Sequence, residues 1–220
     1  MATDVEHYTR LAQENLCEKN YKDAINNFSE ALQRAQKSND AQVICKCRLN
    51  FGAVLVALGR TAEGLKDLET VKPLERDHQL TADVCYNLCL AYEDLNNTAE
   101  AIECIQQAIK HYNECFDGVV LKADSTCRLA SLHTRLQDFE KAAEAYADAA
   151  HLYGTAGDVP QQAVCLLQQA KLLQTCNKSA DAIDVANECA KLCTERPDPG
   201  LGRYTKLKKY YYTVERFAFL

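Results

Sequence analysis

Tryptophan is absent from the 220 residues, and glycine and proline are sparse, at eight and four. Turn-rich β folds draw heavily on both, so this balance favours helices. The longest apolar run worth noting covers roughly eight residues around GAVLVALG (52–59). A membrane-spanning helix needs about 20. The opening MATDVEHYTR is charged and shows no apolar signal region. These features predict a soluble, cytoplasmic protein. There is no basic excess either. The net charge is −6, which removes any global electrostatic case for nucleic acid.

Recognisable chemistry is equally scarce. No Gly-rich phosphate loop, GxSxG, HExxH or CxxC occurs. His7, His78, His111, His133 and His151 are scattered over separate segments. Glu93 and Asp94 are adjacent, so on a helix they diverge and make a poor acid–base pair. The expectation is a protein without catalytic residues, cofactor or metal.

Cysteine, by contrast, is abundant, at twelve. Its spacing does not suit a stapled secreted scaffold. Cys85 and Cys89, like Cys189 and Cys193, are four apart and share a helix face, while Cys45 and Cys47 point to different faces. Zinc would require four ligands at knuckle-like spacing. Small, buried, free thiols in a reducing compartment are the expectation.

The ordinary 47% apolar fraction is arranged in repeats. NYKDAINNF (20–28), GRTAEGL (59–65), NTAEAI (97–102), DFEKAA (138–143) and KSADAI (178–183) align on the small anchors Ala24, Gly64, Ala101, Ala142 and Ala182. The anchor spacings are 40, 37, 41 and 40 residues, a period that signals a solenoid. After Ala101, apolar or small residues recur at Ile105, Ala108 and Ile109, one helical stripe. Before it, Cys85, Leu88, Cys89 and Tyr92 form another stripe. Each unit therefore reads as two helices across a polar break. A small anchor belongs where their backbones approach, since a larger residue there would overpack the contact by about 1–3 kcal/mol.

Leu88, Cys89, Tyr92, Ala101, Ile105 and Ala108 resemble the tetratricopeptide-repeat signature, as do Leu11, Ala12, Ala24, Phe28 and Ala31 in the first unit and Leu129, Ala130, Ala142, Tyr146 and Ala149 in the fourth. The resemblance covers roughly residues 4–195. It departs from the family's pattern in its longer period, in Gly64 at the anchor, and in Asn15, His133 and Leu173 where an aromatic is usual. The long period is similar to the subclass found in Pins-type spindle adaptors, kinesin light chains, rapsyn and the soluble NSF attachment proteins. The implied fold is an all-α, right-handed solenoid of five helix pairs, with units at about 4–40, 41–78, 79–118, 119–158 and 159–196.

The resemblance further implies a non-catalytic scaffold that binds a partner protein's peptide or helix in a concave groove. Carried over by register, the groove positions are Arg10, Asn50, Asn87, Arg128 and Gln168, with Gln13, Lys46, Glu93, Arg135 and Lys171 as neighbours. Some family members grip the carboxylate terminus of heat-shock chaperones. The equivalents of that clamp here are Thr9, Gln13, Asn50, Asp83 and Asn87, of which only Asn50 fits. Asp83 would repel a carboxylate.

Past the ERPDPGLG break at 195–202, the chain ends in RYTKLKKYYYTVERFAFL. Residues 201–220 carry a net charge of +4 against −10 for the rest. Leu207, Tyr211 and Val214 share a helical face, so a capping helix over the last repeat is expected. The alternative function is a membrane-trafficking adaptor similar to the attachment proteins. It would act through charged outer faces and this basic end, the one segment suited to membrane contact.

Overall fold

The computed structural model describes residues 2–38, 40–71 and 77–195. The expected C-terminal capping helix lies outside them. Among the described residues there are ten α-helices and no strand: α1 (Ala2–Cys17), α2 (Tyr21–Ser38), α3 (Ala41–Ala57), α4 (Thr61–Glu69), α5 (His78–Asp94), α6 (Thr98–Tyr112), α7 (Val119–Arg135), α8 (Phe139–Ala156), α9 (Val159–Thr175) and α10 (Ser179–Glu195). The fold is an all-α solenoid of helix pairs. The chain divides into two compact units, Met1–Cys115 and Phe116–Leu220. In the first unit, α1 to α6 each pack on the next, and α3 also packs against α5. In the second, α7 packs on α8, α8 on α9, and α9 on α10.

The second helix of each pair buries the stripe that begins at the anchor. In α2 this is Ala24, Phe28, Ala31, Leu32 and Ala35; in α6 it is Ala101, Ile105, Ala108 and Tyr112. Ile105 and Leu68 are fully buried, and each such side chain contributes about 1.5–3 kcal/mol. First helices are covered on more than one side. In α3, Cys45 packs with Leu49 and Leu68, while Cys47 packs with Val5 and Ala31. All twelve thiols are free, and only Cys17 is exposed. Burial pushes Cys189 up to about 12 and Cys104 to about 11, so both stay protonated at neutral pH.

Each pair turns on one repeated backbone device. Lys19, Gly59, Asn96, Gln137 and Asn177 adopt the left-handed conformation, with φ of 62°, 78°, 61°, 61° and 60°. The next residue's N–H reaches back five positions to the first helix: Asn20 to the carbonyl of Asn15 (2.8 Å), Arg60 to Leu55 (2.8 Å), Asn97 to Tyr92 (2.8 Å), Asp138 to His133 (3.0 Å) and Lys178 to Leu173 (2.9 Å). This is the Schellman closure, which satisfies an orphan carbonyl at the helix end. The same residue's carbonyl then accepts the anchor's N–H at 3.0–3.1 Å in all five turns. One residue thus ends one helix and starts the next.

The glycine at the second anchor has a steric reason. A Cβ on Gly64 would lie 2.6 Å from the Gly52 carbonyl oxygen and 2.7 Å from Val56 Cγ2. A Cβ on Gly52 would lie 2.7 Å from Leu68 Cγ. The two glycines face each other across α3 and α4, closer than alanine allows.

Candidate functional site

A groove of about 680 Å³ opens in the first unit, lined by Gln42, Lys46, Leu49 and Asn50 from α3 and by Asp77, Gln79, Leu80 and Asp83 at and beyond the start of α5. Local capping sets its edges. Asp40 caps α3 by accepting from the N–H groups of Gln42 (3.0 Å) and Val43 (3.1 Å). Asp77 caps α5 through Leu80 N–H (3.0 Å). Gln42 Nε2 donates to Asp77 Oδ2 at 3.2 Å, which ties the two helix starts together. Leu49 and Leu80 are buried and supply an apolar floor.

The walls are polar. Asp83 Oδ1 accepts from Tyr112 Oη at 2.7 Å and from Gln79 Nε2 at 2.9 Å. Burial pushes the Asp83 carboxyl above the usual range, Asp77 adds to this, and the two donors only partly offset it. Its own desolvation, and then that carboxylate, hold the Tyr112 phenol well above its ordinary value, so it stays neutral. Among the described residues, Lys46 and Asn50 make no hydrogen bond or ion pair. Lys46 is exposed and Asn50 half-buried. The groove therefore presents an apolar base, an unengaged amide and an unengaged ammonium.

Of the residues expected from register, Lys46 and Asn50 line this groove. Asn87 sits on α5 but donates its Nδ2 to the Asp83 carbonyl of its own helix at 2.8 Å. Arg10 lies along α1, paired with Glu14 at 2.6 Å and near His7. Arg128 and Arg135 lie on α7, and Gln168 and Lys171 on α9, all in the second unit and not among these lining residues. Register reasoning missed Gln42, Asp77 and Gln79. The signal was available: Gln42 and Lys46 are two turns and one turn before Asn50, and Gln79 and Asp83 repeat them thirty-seven residues later, the local anchor spacing.

Among the described residues no group of three or more His, Cys, Asp or Glu could hold a metal ion. His78 and His111 form a pair only, with Nδ1 atoms 3.1 Å apart. No described helix is long and apolar enough to cross a membrane.

A fold of paired helices with small-residue anchors defines a helical-repeat protein. The model of the SusR N-terminal tetratricopeptide-repeat domain matches residues 8–191, so the chain belongs to the tetratricopeptide-repeat family. Over 184 residues it is 23% identical to the 43 kDa receptor-associated protein of the synapse from Gallus gallus, which covers 81% of this chain and 44% of that protein. The chain thus spans less than half of that relative's length. Among solved structures, BtubC from P. vanneervenii superposes with a TM-score of 0.72 at 16% identity, covering 90% of this chain and 91% of that one. A kinesin light chain repeat protein from Podosopora anserina gives 0.70 at 15%, covering 87% and 95%. The apo form of RapI gives 0.74 at 12%, covering 89% and 55%. At such identities these likenesses show the fold alone. The tetratricopeptide fold is a protein-interaction scaffold.

Proposed function

We propose that this chain is a non-catalytic adaptor that holds a peptide or helical segment of a partner protein in the groove between α3 and α5. The supporting observation is the pair of unengaged polar groups, Lys46 and Asn50, beside the apolar floor of Leu49 and Leu80. Asn50 offers both a donor and an acceptor to a peptide backbone. Each such bond contributes about 0.5–1.5 kcal/mol net, more where the ammonium takes part. The disulfide-free, thiol-rich interior suits a cytoplasmic location.

The test is retention of a library of end-capped decapeptides on immobilised protein. Lys46→Ala with Asn50→Ala should weaken retention roughly tenfold to a hundredfold. Lys110→Ala on α6, which is exposed and outside the groove, should leave it unchanged. Equal loss in both variants would contradict the groove reading. The trafficking alternative rests on the basic residues 201–220. It predicts that deleting them abolishes binding to anionic vesicles while peptide retention persists.

A further inference from the structure

The two charged positions that share a register in this groove carry opposite signs. Lys46 and Asp83 each stand eighteen residues before their anchor, Gly64 and Ala101. Both line the same groove, one on α3 and the other on α5, and they form no ion pair with each other. Lys46 has no partner among the described residues. Asp83 is positioned by Tyr112 and Gln79, but both donors are neutral, so its charge is aimed without being cancelled. Asp77 is held likewise by Leu80 N–H and Gln42, and no cation pairs with it among the described residues. The groove is therefore dipolar, with a cation on the α3 wall and carboxylates on the α5 wall.

A ligand of one sign would meet repulsion on one side. A purely acidic segment, or a bare terminal carboxylate, meets Asp83; a purely basic one meets Lys46. A ligand with both signs meets neither. Neighbouring helices pack about 8–10 Å apart. An extended chain advances about 3.3 Å per residue, so about three residues cross from α3 to α5. Long charged side chains accommodate one residue either way. Asn50, one turn on from Lys46, stands beside that path to take the intervening backbone.

We propose that this groove selects a segment bearing an acidic side chain for Lys46 and a basic side chain for Asp83, two to four residues apart. The inference rests on the peptide reading above and specifies its ligand.

The experiment uses the full chain and capped decapeptides on a neutral Ser/Ala/Leu background. Two positions, two to four residues apart, are set to Glu, Lys, Arg or Ala, and retained peptides are identified by mass spectrometry. The unsubstituted protein should retain opposite-sign pairs at least fivefold over Ala/Ala. Lys46→Glu should switch the preference to doubly basic pairs. Lys46→Gln with Asp83→Asn keeps the side-chain shapes, leaves an amide oxygen for Tyr112, and should retain peptides without charge preference. Thermal melts of each variant confirm folding. If the unsubstituted protein retains peptides without opposite-sign preference, or if Lys46→Glu leaves that preference unchanged, this inference is wrong while the groove reading stands. If no decapeptide is retained at all, both fall.

Discussion

In the pair α3–α4 the helices meet through Gly52 and Gly64. In α7–α8 the equivalent residues are Ala130 and Ala142, at the same twelve-residue spacing and fully buried. The repeat pattern treats both as small positions, yet they tolerate different things. Where two backbones leave 2.6 Å between a notional Cβ and a carbonyl oxygen, the neighbour cannot yield by rotating a side chain. Alanine in the fourth pair shows that a methyl fits there. α4 is also short, at nine residues against eighteen for α8, so less stripe anchors it and close contact carries more of its packing. How small an anchor must be depends on the local separation of the helices.

Opposite substitutions in these two pairs should both destabilise. Gly64→Ala should cost about 1–3 kcal/mol in urea unfolding, because overpacking against backbone outweighs the gain in helix propensity. Ala142→Gly should cost about 1 kcal/mol, mostly from propensity. If Gly64→Ala proves stabilising, the close approach does not constrain the second pair.

A second contrast involves two tyrosines. Tyr112 donates to Asp83, and Tyr153 donates to Asp124 at the same register in α7–α8. Asp83 is half-buried, whereas Asp124 is exposed. Tyr112→Phe should therefore cost about 1 kcal/mol, and Tyr153→Phe measurably less, since water replaces the lost donor at Asp124. Equal losses would erase the distinction between the two carboxylates.

The turns give a smaller effect of opposite sign. Lys19 and Gln137 hold the left-handed conformation that glycine adopts freely at Gly59. Lys19→Gly and Gln137→Gly should each raise stability by about 0.5–1 kcal/mol in thermal melts. No gain at either would mean that contacts of the native side chains offset the strain.

The smallest expected response is to acid. Burial, then neighbouring His78 and Lys110, depress His111 below its ordinary value of 6.5, while Glu114 acts the other way. The unfolded chain then binds more protons than the native one just below pH 6.5, so stability at this site is present above that value and lost as pH falls through the window. Unfolding midpoints at pH 7.5 and 5.5 should differ less in His111→Gln than in the parent. An unchanged difference would exclude His111 as a source.

Much of this architecture was legible in the residues. The anchors and their stripes located the helix pairs because burial and helical periodicity act on the same atoms. Lys46 and Asn50, named from the family's repeat register, line the groove of the first unit. The rest depended on geometry that register does not carry. Asn87 shares its register with Asn50, yet its amide turns back onto its own helix. Arg10 is drawn along α1 by Glu14. Lys19 and Gln137 are poor turn formers by type, and only the backbone closure around them reveals their role.

Because the residue after each left-handed position closes one helix and opens the next, the turn within a pair has no slack. The distance from small residue to anchor is twelve in every pair, as from Ala12 to Ala24 or from Ala170 to Ala182. The distance from one anchor to the next small residue varies instead, from 25 between Gly64 and Cys89 to 29 between Ala101 and Ala130. The length differences among the repeats of this chain therefore fall outside the turns within pairs. A residue inserted at 137–138 would wreck a hairpin, whereas one inserted at 115–117 would only lengthen a link. Duplication of such a chain has one natural place to cut, and each copy leaves as an intact hairpin.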